Sequence, residues 1–363
     1  MKVKHLVLIS LAALLAGLLS ACTNGSVGSS WPGMTADEDA VYLSGGAYVY
    51  AIRLNDGTEM WHYPEKADNK RLFFAAPVLT PDGQLIVGSG GSNYTLYSLN
   101  PKNGSENWGF GEAKDRWVGS PLVGDDIIYA PNSDGELYAL DFNGKRLWTF
   151  TAGGPLWAQP ISDSQLIYVA SLDHRLYAID PQSPTDNEGR KEAAWAIELD
   201  GAIAGAPAAS TDGLLYVGSV GASLTAIDMA SHDIRWSAPT DKGVWSGPTL
   251  DGKTLFFGDL SGKFYSLNAE DGSRNWEPQQ PDGSIVGSPS VMAGYVIFTT
   301  ETGSVYALDR NGETAWTKMV GGKIYTAPLT AGDLILVAPM QAEFLLAALD
   351  KDGHQAWTFQ PQK

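Results

Sequence analysis

An all-β chain, an eight-bladed β-propeller of four-stranded antiparallel blades, is the fold this sequence predicts, and three observations predict it. A hairpin-closing tryptophan recurs as Trp61, Trp108, Trp148, Trp195, Trp236, Trp276, Trp316 and Trp357, at spacings of 40, 41 or 47 residues, a period that belongs to radial arrays of sheets. A proline opens a strand-like segment ahead of each: Pro32, Pro77, Pro121, Pro160, Pro207, Pro248, Pro289 and Pro328. Beyond the N-terminal leader, no long segment spaces its apolar residues with a helical period.

Residues 1–21 stand outside the fold. Lys2, Lys4, the apolar run from Leu6 to Leu19 and the string "LSAC" read as a secretory signal, and the run is too short to span a bilayer. Cys22 is the only cysteine, so no disulfide is available to an exported chain. Its setting after Leu19, Ser20 and Ala21 resembles the lipobox of bacterial lipoproteins. That resemblance implies cleavage ahead of Cys22, a diacylglyceryl group on its thiol, and an exported protein anchored to a membrane, facing the periplasm or the cell surface. Residues 22–30 are then the lipidated cysteine and a short Gly/Ser tether, and residues 31–363 the propeller. The eight residues from Thr23 to Ser30 extend to at most about 29 Å.

Each unit reads as four strands, A to D. Strand A follows the proline. Strand B is an unbroken apolar run such as "LIVG" (85–88), "IIYA" (127–130) or "LLYVG" (214–218), the pattern of a strand covered on both faces. Strands C and D form a hairpin, as in "GELYALDFNGKRLWTF" (135–150), whose Asn-Gly or Asp-Gly turn supplies the positive φ that tight hairpins need. The tryptophan of strand D fills the wedge that opens between diverging sheets. One such sheet cannot bury both faces, whereas eight arranged radially bury each face against a neighbour. The first unit starts at Trp31-Pro32 and the last ends in its own D strand, "HQAWTFQPQK", so every blade is expected to be contiguous, with no strand exchanged to close the ring. The insertion at 181–194 in unit four is polar and charged and reads as a solvated excursion of its C–D hairpin, an extra contact being the other reading.

The formal charge of −17 becomes −19 once Lys2 and Lys4 leave with the signal. Such a field repels phosphates, which argues against nucleic-acid binding and against electrostatic attraction of the whole body to lipid. "GPTLDGKT" (247–254) matches a phosphate-loop string, but it lies between strands A and B with no helix to follow and reads as a hairpin turn. His62, His174, His232 and His354 are scattered over different units, so no metal site is predicted. Asp37, Glu38 and Asp39 read as a solvated turn. No catalytic residue is nominated.

One set of residues stands out. Just before the strand-A prolines the chain places Trp31, Phe73 and Phe74, Trp117, Trp157, Trp245 and Tyr325, with Arg116, Lys242 and Lys323 beside them. The D–A connection crosses from rim to axis, so these residues are expected at the mouth of the central channel, on the face that also carries the B–C loops. Aromatic anchors with basic neighbours suit a partner- or ligand-binding surface; rings that plug the funnel or pack between blades are the other reading, and both stand.

The unit pattern of proline, apolar run, "LYALD", Asn-Gly turn and tryptophan resembles the PQQ-like repeat of quinoprotein dehydrogenases and of the BamB-like lipoproteins of outer-membrane protein assembly, over essentially all of residues 31–360. On the BamB-like side the resemblance implies a non-enzymatic interaction scaffold whose partners are envelope proteins, among them a membrane β-barrel assembly complex, with the membrane met through the lipid alone. On the dehydrogenase side it implies a PQQ enzyme or small-ligand receptor using the axial funnel. The large PQQ dehydrogenases carry a vicinal cysteine pair, which a chain with one cysteine lacks, and no Cys-x-x-Cys-His haem site occurs. No cofactor is therefore predicted beyond the lipid on Cys22, with PQQ in the funnel kept as the alternative.

Overall fold

Proline has no N–H to give a sheet ladder and is tolerated at a strand's first residue. All eight strand-opening prolines stand one residue ahead of the innermost strand of a sheet. The computed structural model describes residues 31–68 and 70–361, so the signal, Cys22 and the tether lie outside the described residues. Among the described residues there is no helix, and the strands make eight antiparallel meanders. Blade one runs Gly33–Ala36, Ala40–Gly45, Tyr48–Arg53 and Glu59–Tyr63; blade eight runs Leu329–Ala331, Leu334–Val337, Leu346–Leu349 and Gln355–Phe359. Both are built from consecutive strands, as expected for a ring without strand exchange.

The apolar core is divided among the eight seams between neighbouring blades. Strand B contributes to two seams at once: in blade two, Leu85 and Val87 face blade one while Ile86 faces blade three. An unbroken apolar run is what that double burial requires. The seam between blades eight and one is packed like the others, with Val41, Leu43, Tyr50 and Ile52 against Leu336, Leu346, Ala348 and Phe359.

The repeating tryptophan rivets each seam near the rim. Its ring lies on the glycine of the next blade's C–D turn: Trp61 on Gly104, Trp108 on Gly144, Trp316 on Gly353 and, across the closing seam, Trp357 on Gly57. A Cβ at Gly57, whose φ is +73°, would fall 2.6 Å from the Trp357 ring. The glycine thus provides both the left-handed turn and the ring's seat. The indole N–H then donates to a carbonyl of that same turn, Trp61 to Pro101 at 2.8 Å, Trp316 to Lys351 at 2.9 Å and Trp357 to Leu54 at 3.0 Å. Where the next turn lacks this glycine the seat is replaced. His232, with a φ of +63°, stacks on Trp195 at 4.6 Å.

Two expectations are corrected. The insertion at 181–194 is not only a solvated excursion: Arg190–Lys191 adds a fifth strand, parallel to Arg146–Thr151, at the edge of blade three. Lys191 is 5% exposed, sets its ammonium 5.2 Å from the centre of the Trp148 ring and donates to the Ser183 carbonyl. This cation–π seat stands in for the missing glycine. Nor does every blade have four strands. The sheet of blade six has three, and its outer segment keeps only the bridges Leu267 to Arg274 and Phe264 to Gln279. Pro278 and Pro281 remove donors from the stretch where the fourth strand would lie.

The string at 247–254 is the hairpin expected of it, Asp251 pairing with Thr254 across Gly252. The C–D turns of other blades are tied by aspartates that accept backbone N–H groups: Asp309 from Asn311 at 2.8 Å and Glu313 at 2.9 Å, Asp228 from Ala230 at 2.9 Å and Ser231 at 3.0 Å. These bonds, led by those from Glu313 and Ser231, hold both carboxyls below the usual aspartate range. A carboxyl depressed by folding stabilises the fold above its unfolded pKa of about 3.9 and stops doing so as pH falls through the folded value. The urea midpoint is therefore expected to be level from pH 7 to about 5 and to fall below pH 4. Replacing Asp309 and Asp228 by Asn should reduce that fall. A midpoint unchanged down to pH 3 would show that these turns contribute nothing.

Candidate interaction face

Every D–A connection follows one grammar, counted back from the proline. The fourth residue before it is buried in the seam with the preceding blade: Phe73, Trp117, Leu156, Ile203, Val244, Ile285 and Ile324 are all at most 1% exposed. The third residue before it, Phe74, Val118, Trp157, Ala204, Trp245, Val286 or Tyr325, is half-buried. Neighbouring positions of extended chain point to opposite sides, so one residue locks the seam and the next looks toward the channel mouth.

This register sorts the expected mouth residues. Trp157, Trp245 and Trp31 meet there, their rings 6.4 Å (Trp31 to Trp157), 6.2 Å (Trp31 to Trp245) and 6.3 Å (Trp157 to Trp245) apart. They come from the entries to blades one, four and six, and residues so far apart around a ring of eight can touch only near the axis. Trp157 is fixed from behind by its indole N–H, which donates to Ser133 Oγ at 3.0 Å in a B–C loop of blade three. Trp31 is 37% exposed. Phe74 and Arg116 form a second group around Gly90 of the blade-two B–C loop, and Arg116 is exposed with Asp115 at 3.6 Å. Tyr325 belongs to a third: its hydroxyl donates to Glu301 at 3.1 Å, beside the Lys323 ammonium at 2.8 Å from the same carboxylate. That lysine holds the Glu301 carboxyl below its usual range.

Phe73 lies in the seam between blades one and two, and Trp117 does not belong to the mouth either. It is 0% exposed, packs on Phe110 at 6.5 Å and Tyr138 at 5.6 Å, and donates to the Tyr94 carbonyl at 3.1 Å. Its side chain also lies where a Cβ on Gly88 would be, 2.2 Å away. The sequence places it at the seam position, one residue before Val118, and the distance to the proline is the signal that identifies it. The repeating tryptophans are structural in their placement, with Trp61 and Trp148 buried and Trp108, Trp195, Trp236, Trp276, Trp316 and Trp357 half-buried near the rim. Among the described residues Asp350, Asp352 and His354 form the one grouping with metal-ligand spacing, in an exposed C–D turn where the Asp350 carboxylate already caps the N–H groups of Asp352 and His354.

The mouth face is therefore an aromatic centre with mixed charge around it. Such a surface suits a partner that inserts apolar side chains and meets a polar rim. The chain resembles known proteins. The profile of a PQQ-like repeat family described as outer membrane protein assembly factor BamB matches residues 92–185, 185–291 and 281–363. The outer membrane protein assembly factor BamB of Burkholderia pseudomallei is 22% identical over 328 residues, 77% of this chain and 82% of that protein. A lupanine 17-hydroxylase [cytochrome c] of Pseudomonas sp is 25% identical over 192 residues, 49% of this chain but only 23% of the enzyme. The crystal structure of BamB from Moraxella catarrhalis superposes with a TM-score of 0.69 at 18% identity, covering 88% of this chain and 91% of that one. With successive matches running from residue 92 to residue 363, the chain belongs to the BamB family of PQQ-like repeat β-propellers.

Proposed function

We propose that this propeller is a non-enzymatic scaffold of outer-membrane protein assembly, held in the envelope by a lipid on Cys22, whose mouth face docks an envelope protein of the β-barrel assembly machinery. The observation that carries the reading is the meeting of Trp31, Trp157 and Trp245 at the axis, supported by relatives named as outer membrane protein assembly factors. Partly exposed tryptophans at the centre of a polar-rimmed patch are the usual anchors of binding energy.

The same geometry supports a role without a quinone. PQQ is a planar tricarboxylate, and a site for it needs cations free to pair with carboxylates. The axial position is occupied by three tryptophan rings, Lys323 is paired with Glu301, and Arg116 lies against Asp115. Of the basic residues beside the aromatics this leaves Lys242 alone for three carboxylates, which supports the reading without PQQ, and no redox step is derived.

Crosslinked purification of the full chain from intact cells is expected to recover a membrane β-barrel assembly protein, and Cys22→Ser should move the chain from the membrane to the soluble fraction. An absorbing cofactor retained through purification, or dye-linked oxidation of an alcohol or sugar, would overturn the scaffold reading.

A further inference from the structure

The direction in which the propeller faces its membrane follows from where the chain enters it and where its charges lie. The described body begins at Trp31, pinned at the axis on the mouth face by its contacts with Trp157 and Trp245. Only the eight residues from Thr23 to Ser30 separate Trp31 from Cys22, and the nine Cα steps between those two residues reach at most about 32 Å. To bring the opposite face to the bilayer, that segment would have to cross four strands, about 15 Å, and then descend a strand of about 17 Å, some 32 Å before any contribution from the channel radius. The tether meets that length only at full extension, whereas on the mouth side its whole reach is available.

The charges favour the same side. Topology puts the D–A connections and B–C loops on the mouth face and the A–B and C–D turns on the other. The mouth face carries exposed Lys66, Lys70, Lys114, Arg116, Lys242 and Lys323, which offset its exposed acids, among them Glu65, Glu112, Asp200, Asp241, Asp282 and Glu343. Several of its acids are half-buried or buried acceptors: Asp134 from the Tyr138 hydroxyl at 2.8 Å, Asp173 from Tyr177 at 2.5 Å and Asp259 from Tyr265 at 2.9 Å. The turn face instead exposes acids in runs, Asp37 to Asp39 and Asp125 with Asp126, and Asp212 and Asp333 singly. Phosphate head groups repel that face over about one Debye length, near 8 Å at physiological salt. The net negative charge gives the whole body no electrostatic hold on lipid, so the anchor does the holding and the asymmetry selects the face.

We infer that the propeller stands with its channel mouth toward the phospholipid surface and its acidic turn face away from it. This rests on the anchoring at Cys22 proposed above. The partner seated on the tryptophan cluster then lies between propeller and bilayer.

Because the lipid occupies Cys22, an introduced cysteine is the single labelling site of the mature chain. Fluorophores at Ala327→Cys and Glu343→Cys report the mouth face, and at Thr211→Cys and Glu313→Cys the turn face; all four positions are exposed. The lipidated full chain is bound to phosphatidylethanolamine/phosphatidylglycerol vesicles carrying acceptor-labelled lipid, and energy transfer is measured. Both mouth probes are expected to transfer at least twofold more efficiently than both turn probes. Equal transfer from the two faces, or the reverse order, in protein that floats with the vesicles would overturn the orientation while leaving the anchor intact. Failure of the lipidated chain to float, with the Cys22→Ser chain behaving identically, would remove the anchor and the orientation together.

Discussion

Trp357→Ala is expected to lower stability by about 3 kcal/mol, the range for removing a large packed aromatic, and to open one seam selectively. The ring of Trp357 sits on Gly57 and its indole N–H donates to the Leu54 carbonyl at 3.0 Å, joining blade eight to blade one. Every other seam is also bridged by the polypeptide; among the described residues no chain connection crosses this one. Removing the rivet should therefore speed amide exchange along Val41–Tyr50 and Leu346–Phe359 more than elsewhere, because the least supported unit opens first. Trp316→Ala, which empties an equivalent seat on Gly353, should lower the urea midpoint without that localised deprotection. A loss below about 0.5 kcal/mol, the level of an ordinary surface change, with uniform exchange would mean that the closing seam does not depend on its tryptophan.

Trp117→Ala should cost about 4 kcal/mol, as for a fully enclosed tryptophan whose cavity the neighbours cannot fill. The ring is 0% exposed between Phe110 and Tyr138. What remains folded should bind partners as the parent does, because no part of that ring reaches the mouth. Trp157→Ala with Trp245→Ala should behave in the opposite way: both rings are half-buried at the axis, so stability should fall by only about 1–2 kcal/mol while partner capture is lost. The urea midpoint and capture per folded molecule separate the two cases. Loss of capture in Trp117→Ala at full folding would put that residue back on the docking face.

The fold was legible because each blade repeats the same physical demands. A proline must stand where a ladder N–H is not wanted, strand B must be apolar on both sides, and a tryptophan must find a turn glycine in the next blade. The mouth was legible only to within one residue. Aromatics occur at both the seam position and the axial position, so Phe73 and Trp117 look like Phe74 and Trp157 until the distance to the proline is counted. The fifth strand at Arg190–Lys191 left no local trace, since its pairing is with a strand of the preceding blade and its driving contact, Lys191 over Trp148, joins residues more than forty apart. The missing strand of blade six was written in Pro278 and Pro281 and could have been read there.

The docking role of the tryptophan cluster is tested most directly by crosslinked capture from intact cells, comparing the parent chain with one carrying Trp157→Ala and Trp245→Ala. Two anchors of about 2 kcal/mol each make a loss of at least tenfold in recovered assembly-machinery protein the expected result, with an unchanged β-sheet circular dichroism spectrum. Recovery at the parent level by a folded double variant would contradict it.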